Sequence, residues 1–183
     1  MPIVPLVRGT AAEATRLLEA VSDAGWPELV LKPAIGVGGS GVVRTDAAGL
    51  ADALGAMAPA TEVMVQPFAD AIVGEGELSF AFLGGAPSHA LRKRPASGDF
   101  RAHGIYGGTV ERIDPDRADV AAVSAMLDRL PFDLLYARFD VVRFDGRLAV
   151  LELELIEPML YLGLAPGSAG RLADATVARL GTG

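Results

Sequence analysis

Three carboxylates late in this sequence, Asp140, Glu152 and Glu154, have the spacing by which two neighbouring strands gather acids at one point. Glu152 and Glu154 alternate with Leu151, Leu153 and Leu155, so on a strand the acids share one face and the leucines the other. In the preceding segment Arg138 and Asp140 share a face, opposite Phe139 and Val141. Whether the two charged faces coincide depends on the turn at Asp145-Gly146. A two-residue turn pairs Asp140 with Leu151 and separates the acids. A three-residue loop, with Phe144-Asp145 in a type I turn and Gly146 as a left-handed bulge residue, shifts the register by one and unites them. We expect the second. Its other face is then apolar, made by Phe139, Val141, Leu151 and Leu153. Converging carboxylates repel unless a cation lies among them, and oxygen donors without His or Cys select Mg²⁺ or Mn²⁺. Taken alone, the same residues also describe a solvated acidic strand face.

A glycine-rich stretch, Gly36-Val-Gly-Gly-Ser-Gly41, follows Lys32-Pro33. Glycines let successive backbone N–H groups approach a phosphate closely. No Gly-Lys-Ser/Thr closes the loop and no long helix follows, so neither a Walker A loop nor a dinucleotide fingerprint fits. In isolation it also reads as a flexible turn. Lys93 lies between Arg92 and Arg94 near a strand end and faces opposite to both. Asp99-Phe100-Arg101 sits in a polar loop from which an arginine reaches a carboxylate or phosphate. The bland alternatives are a solvated basic strand and a solvated surface arginine.

These residues need elements to place them. Thr10 to Glu13 has capping-box spacing, and Leu17, Leu18 and Val21 recur at helical intervals up to Gly25. Residues 28–32 read as a strand before the glycine loop, and residues 42–44 as its continuation. Asp46 caps a helix to about Met57, and residues 62–66 form a short strand. Residues 77–83 and 86–94 form a hairpin across Gly84-Gly85. Residues 95–109 form a candidate functional loop. A helix from Asp114-Pro115 to about Leu130, strands at 134–143 and 147–155, and a helix at 169–180 complete the reading. The order of elements argues α+β.

The chain has 183 residues, half of them hydrophobic and a fifth charged, enough for one sizeable domain or two small lobes. Net charge is −7, which disfavours nucleic acid as a partner. No apolar run approaches the ~20 residues of a membrane span, and the N-terminal residues do not have a signal-peptide pattern. There is no cysteine, so disulfides, thiol nucleophiles and cysteine-bound metals are excluded and a reducing cytoplasm is the expected setting.

The order of these signals is more specific than any one of them. It runs Val30-Leu-Lys32-Pro33, glycine loop, Val65-Gln66-Pro67-Phe68, Gly76-Glu77-Leu-Ser79, Lys93-Arg94, Gly98-Asp-Phe-Arg101 to Gly107-Gly108-Thr109, Arg138-Phe-Asp140, Glu152-Leu-Glu154. Across nearly the whole chain this resembles the ATP-grasp superfamily. The branch of prokaryotic glutathione synthetase, the ribosomal protein S6 glutamate ligase and the D-cycloserine cyclo-ligase is nearest in look. The stretches Lys93-Arg94-Pro95 to Arg101 and Glu152 to Pro158 carry that nearness.

The resemblance implies two α+β lobes with antiparallel sheets gripping ATP between them, residues 1–65 forming the glycine-loop lobe and 66–183 the metal and phosphate lobe. It implies an ATP-dependent carboxylate–amine ligase that forms an amide through an acyl phosphate. Lys32 and Lys93 would contact the phosphates and Gly36, Gly38, Gly39, Ser40 and Gly41 would close over them. Gln66 and the backbone around Phe68 would hold adenine, and Glu77 the ribose, with Asp70 and Glu75 as rival acids. Asp140, Glu152 and Glu154 would hold Mg²⁺, and Arg101 and Arg138, with Lys93, would act in catalysis. Partners would be ATP, a small carboxylate and an amine of amino-acid type, chosen by the segment holding His103, Tyr106 and Glu157. Two departures stand out: Glu154 where the family often has Asn, and His103 where Arg-x-Asn is frequent. The N-terminal substrate domain of full-length relatives is expected to be missing, leaving a homodimer or a partner chain to supply it. Alternatives are a nucleotide-binding module without catalysis of its own, and a metal-dependent hydrolase. On the ligase reading, Lys93→Ala weakens ATP binding and Asp140→Asn abolishes Mg²⁺-dependent turnover, both without unfolding.

Overall fold

The computed structural model describes residues 2–36, 38–102 and 104–181. Its contacts divide the chain into two compact units, Val4–Asp70 and Met1–Ile3 with Ala71–Gly183. The first unit takes in residues 66–70, beyond the boundary expected after residue 65, because Gln66 and Pro67 complete a strand of its sheet.

That unit holds a four-stranded antiparallel sheet in the order β1 (Val7–Thr10), β4 (Glu62–Pro67), β2 (Leu29–Pro33), β3 (Val43–Thr45). Helices α1 (Ala14–Ala24) and α2 (Ala47–Gly55) pack Leu17, Val21, Leu50 and Leu54 against Leu29, Leu31, Val63 and Val65. The capping box at Thr10 opens a single 3-10 turn, Ala11–Glu13, that runs into α1, and Asp46 caps α2 directly. The Glu13 carboxylate accepts the Thr10 N–H at 2.7 Å, and Asp46 Oδ1 accepts the Gly49 N–H at 2.9 Å. Strand β1 is not expected from local sequence; it is a short edge strand stabilised by its pairing with β4.

The second unit is built on a five-stranded antiparallel sheet. Its order is β7 (Thr109–Ile113), β6 (Ala86–Arg94), β5 (Glu77–Leu83), β8 (Tyr136–Phe144), β9 (Arg147–Glu154). The single-turn helix α3 (Ala71–Gly74) precedes β5. One sheet face carries Leu78, Phe80, Phe82, Ala90, Phe139, Val141, Leu148 and Val150, packed with Val123 of α4 (Arg117–Leu127). The last helix, α5 (Ser168–Leu180), follows the sheet. Helix α4 starts two residues beyond Pro115, and edge strand β7 occupies residues read as loop and linker. The β5–β6 turn is the expected one, with Gly84 and Gly85 both at positive φ.

Gly76, at φ +91°, leads into β5, and a Cβ there would lie 2.6 Å from the Lys93 carbonyl oxygen. Gly76→Ala is expected to cost about 2 kcal/mol or more, from the forced backbone shift and the left-handed φ together. Urea unfolding measures it, and an unchanged midpoint would show that the strand entry yields freely.

Candidate functional site

Opposite the apolar face of the five-stranded sheet lies a row of charged side chains from four strands. Antiparallel pairing sets Glu77 against Lys93, Ser79 against Asp140, Asp140 against Glu152 and Arg138 against Glu154. Residues directly opposite each other share a face, so local alternation and register together gather these groups.

The β8–β9 connection differs from the expected loop. Phe144 pairs with Arg147, leaving Asp145 and Gly146 as a two-residue turn at φ 49° and 70°. Two left-handed residues are what a type I′ turn needs, and Asp-Gly supplies them cheaply. The register then slips between Asp140 and Val141: Val141 faces Val150, Asp140 faces Glu152, and Leu151 is the extra residue. A bulge inside the strand thus unites the acids. It also revises the apolar face, because Val150 fills the core position expected for Leu151, and Leu153 is 37% exposed.

Distances within the cluster are those of direct bonding. Lys93 Nζ lies 2.8 Å from Glu77 Oε1 and 3.1 Å from Asp140 Oδ2. Arg138 donates from Nε and Nη2 to the Asp140 carboxylate, at 3.0 Å to Oδ1 and 2.7 Å to Oδ2, and from Nη2 to Glu154. Ser79 Oγ donates to Asp140 Oδ1 at 2.5 Å, and Arg138 Nη1 donates to the Met159 carbonyl at 2.9 Å. One carboxylate oxygen from each of Asp140, Glu152 and Glu154 lies within 4.8 Å of the others. Asp140 is buried, Glu154 half-buried and Glu152 exposed, so the group opens from the sheet toward solvent.

Burial governs the electrostatics. It disfavours the charged Lys93, but Glu77 and Asp140 more than offset it and hold the ammonium above the ordinary lysine range. It likewise opposes charge on Asp140, yet Lys93, the Arg138 fork and Ser79 keep that carboxyl below its usual value. Glu77 is pushed up to about 7 by burial, against the pull of Lys93. Burial also raises Glu154. Four carboxylates thus meet two cations, a formal excess of two negative charges when all are ionised. Oxygen-only donors with that excess suit a divalent hard cation.

Arg101 bonds elsewhere. Its guanidinium donates to both carboxylate oxygens of Asp99, at 3.1 and 2.8 Å, and stacks 3.4 Å from the Tyr106 ring centroid. Asp99 Oδ1 also accepts the N–H groups of Phe100 and Arg101, which fixes the loop around the arginine. Its carboxyl is held well below the usual range, first by the Arg101 side chain. Glu157 is exposed, and His103 lies outside the described residues.

In the other unit Lys32 pairs with Met64, and Val30 with both Gln66 and Arg44. Lys32 and Gln66 therefore share the sheet face turned from Leu29 and Leu31. Gln66 is buried, with Nε2 3.5 Å from the Val4 carbonyl. Phe68 donates its N–H to the Glu28 carbonyl at 2.8 Å, and the Arg44 guanidinium lies 3.7 Å from its ring centroid. The glycine loop joins β2 to β3, with Gly38, Gly39 and Gly41 at positive φ; Val37 within it is outside the described residues. Asp70 and Glu75 are exposed.

Three contributors had no role in the sequence reading. Ser79 was legible in principle, two residues from Glu77 on the same strand face. Tyr161, whose ring centroid lies 5.9 Å from both Lys93 Nζ and Arg138 Cζ, and the Met159 carbonyl come from an irregular segment with no periodic signal.

Comparison with known proteins places this geometry. The family described as prokaryotic glutathione synthetase, ATP-grasp domain, matches residues 8–151. The glutathione synthetase of Prochlorococcus marinus (strain MIT 9313) is 32% identical over 160 residues, covering 84% of this chain and 50% of that protein. Cycloserine biosynthesis protein DcsG of Streptomyces lavendulae is 33% identical over 132 residues, covering 68% and 44%. The chain spans about half the length of these curated relatives. The crystal structure of D-cycloserine synthetase DcsG matches with a TM-score of 0.77 at 27% identity, over 98% of this chain and 65% of that one. The α+β architecture expected from the sequence is therefore an ATP-grasp fold.

Proposed function

The chain belongs to the prokaryotic glutathione synthetase ATP-grasp domain family, and from that premise we propose that it is the catalytic core of an ATP-dependent carboxylate–amine ligase. In this reaction a substrate carboxylate oxygen attacks the γ-phosphorus of ATP and ADP leaves. The amine nitrogen then attacks the acyl carbon, phosphate leaves, and an amide remains. The observation that carries the reading is the grouping of Asp140, Glu152 and Glu154 beside Lys93 and Arg138. The synthetase names of two relatives support a bond-forming reaction.

We assign Mg²⁺ to the three acids; Mn²⁺ meets the same donor chemistry. When bound, such an ion supplies charge neutralisation to a polyphosphate. Lys93 and Lys32 are assigned to the phosphates, with the N–H groups of the Gly36–Gly41 loop. Gln66 and the backbone at Phe68 are assigned to adenine. Glu77 is assigned to the ribose, a role shared with holding Lys93. Arg101 and Arg138 are assigned to the carboxylate and the acyl phosphate it becomes. Catalysis on this scheme is positioning and charge neutralisation, without a protein nucleophile. The unit Val4–Asp70 is then the glycine-loop lobe and the other the metal and phosphate lobe. The substrates are small and of amino-acid type, the setting is the cytoplasm, and the net charge of −7 argues against nucleic acid. Among the described residues no helix is long and apolar enough to cross a membrane.

The same assignments serve a second reading, a nucleotide-binding module that holds Mg-ATP through Lys32, Gln66 and Lys93 without catalysis of its own. The test is ADP release from Mg-ATP with a panel of amino acids, alongside calorimetric ATP binding. The ligase core releases ADP only when a carboxylate substrate is added. Binding without release assigns the chain to the second reading. Hydrolysis of esters or phosphates without ATP would sink both.

A further inference from the structure

The segment after β9 is pinned to the charged face of the sheet by its carbonyl groups. Tyr136 OH donates to the Ile156 carbonyl at 2.6 Å, and Arg138 Nη1 to the Met159 carbonyl at 2.9 Å. His89 Nε2 lies 2.8 Å from the Leu160 carbonyl. A carbonyl only accepts, so His89 carries its proton on Nε2, and Ser88 Oγ donates to Nδ1 at 3.0 Å. Arg171 of α5 in turn donates to Ser88 Oγ at 2.9 Å. Three side chains from two strands therefore hold three carbonyls of a segment with no regular structure.

Tyr161 comes directly after these pins, at φ +52°. Among the described residues the only other non-glycine at positive φ is Asp145, in the tight β8–β9 turn. A side chain disfavours this conformation, and it persists where the surroundings impose it. Here the imposed backbone aims an aromatic ring at two cations at once. Its centroid is 5.9 Å from Lys93 Nζ and 5.9 Å from Arg138 Cζ, within the reach of cation–π attraction. The acids beside Lys93 and Arg138 attract from within the sheet face, whereas the ring is a neutral wall that directs both cations without neutralising them.

We propose that Tyr161 is a positioning residue: its ring, aimed by the strap pinned at Ile156, Met159 and Leu160, sets the direction in which Lys93 and Arg138 meet the phosphate and carboxylate groups of the substrates. This rests on the reading of the charged face as the Mg-ATP site. Tyr161→Phe keeps the ring, Tyr161→Ala removes it, and Tyr161→Gly removes both ring and backbone strain. The expected result is Mg-ATP affinity unchanged in Tyr161→Phe and weakened on the order of tenfold in the Ala and Gly variants. In thermal melts Tyr161→Gly unfolds at a higher temperature than Tyr161→Ala, so an equal loss of affinity in the two variants does not track their stability. Equal Mg-ATP affinity in Tyr161→Gly and the parent overturns the proposal, as does an equal loss in Tyr161→Phe, which would assign the effect to the hydroxyl. A parent chain that binds no Mg-ATP overturns the functional reading itself, and this inference with it.

Discussion

Asp140→Asn is expected to abolish Mg²⁺-dependent ATP turnover and to lower stability by roughly 3 kcal/mol. Sequence alone implies a variant with an intact fold. The structure changes that expectation. Asp140 has 1% of its side chain exposed and accepts hydrogen bonds from Ser79 and Arg138, with Lys93 Nζ 3.1 Å away. An asparagine of the same shape keeps part of the hydrogen bonding but leaves two buried cations short of one counter-charge, and removing one partner of a buried pair is costly. Lys93, 5% exposed, falls under the same reasoning, so Lys93→Ala loses stability as well as phosphate contact. Glu152→Gln separates the two effects. Glu152 is an exposed member of the acid group, so its neutralisation should remove Mg²⁺-dependent turnover with little change in the urea midpoint. ADP release and urea unfolding on both variants make the comparison. Full turnover in Asp140→Asn would remove it from the metal group, and an unchanged midpoint would mean that the buried cations find other partners.

Raising the pH from about 4.5 to about 7 should cost the ligand-free chain on the order of 3 kcal/mol through Glu77 alone. Burial lifts Glu77 in the folded state to about 7 from an ordinary value of 4.5. The folded chain therefore holds this proton more tightly than the unfolded one. Below pH 4.5 both states are protonated and the contribution is complete; it drains away as pH rises through the window and is gone above about 7. Glu154, also raised by burial, acts in the same sense, while Asp140, held low by its cations, loses its contribution only as pH falls below the ordinary aspartate range. The difference between the parent and Glu77→Gln isolates Glu77, since the amide cannot titrate. Urea midpoints measured at half-unit pH steps should fall more steeply in the parent than in Glu77→Gln between about pH 4.5 and 7. Parallel curves would show that Lys93, 2.8 Å away, keeps Glu77 ionised throughout.

Local chemistry carried most of the secondary structure. Thr10 to Glu13, Gly25 and Asp46 mark helix ends through bonds to neighbouring backbone, and Gly84-Gly85 mark a turn through their φ preferences, none of which needs the rest of the chain. Strands β1 and β7 leave no local signal because each is a short edge element whose hydrogen bonds go to a separate strand, β4 or β6. Their own residues carry little period.

By itself the sequence determined which acids share a face within a strand, because side chains alternate with a period of two and nothing outside the strand alters that. It placed Glu152 with Glu154 and Arg138 with Asp140, and the order of motifs along the chain pointed to the ATP-grasp family. Only the tertiary structure decided that the two pairs meet. The turn alone would have kept them apart, and the extra residue at Leu151 restores the register because Val150 packs into the core while Asp140 faces Glu152. Burial of Lys93 and Arg138 against the acids was equally out of reach, since it depends on strands 16 or more residues apart and on a strap with no periodicity at all. Register and burial belong to the assembled sheet; alternation belongs to the chain.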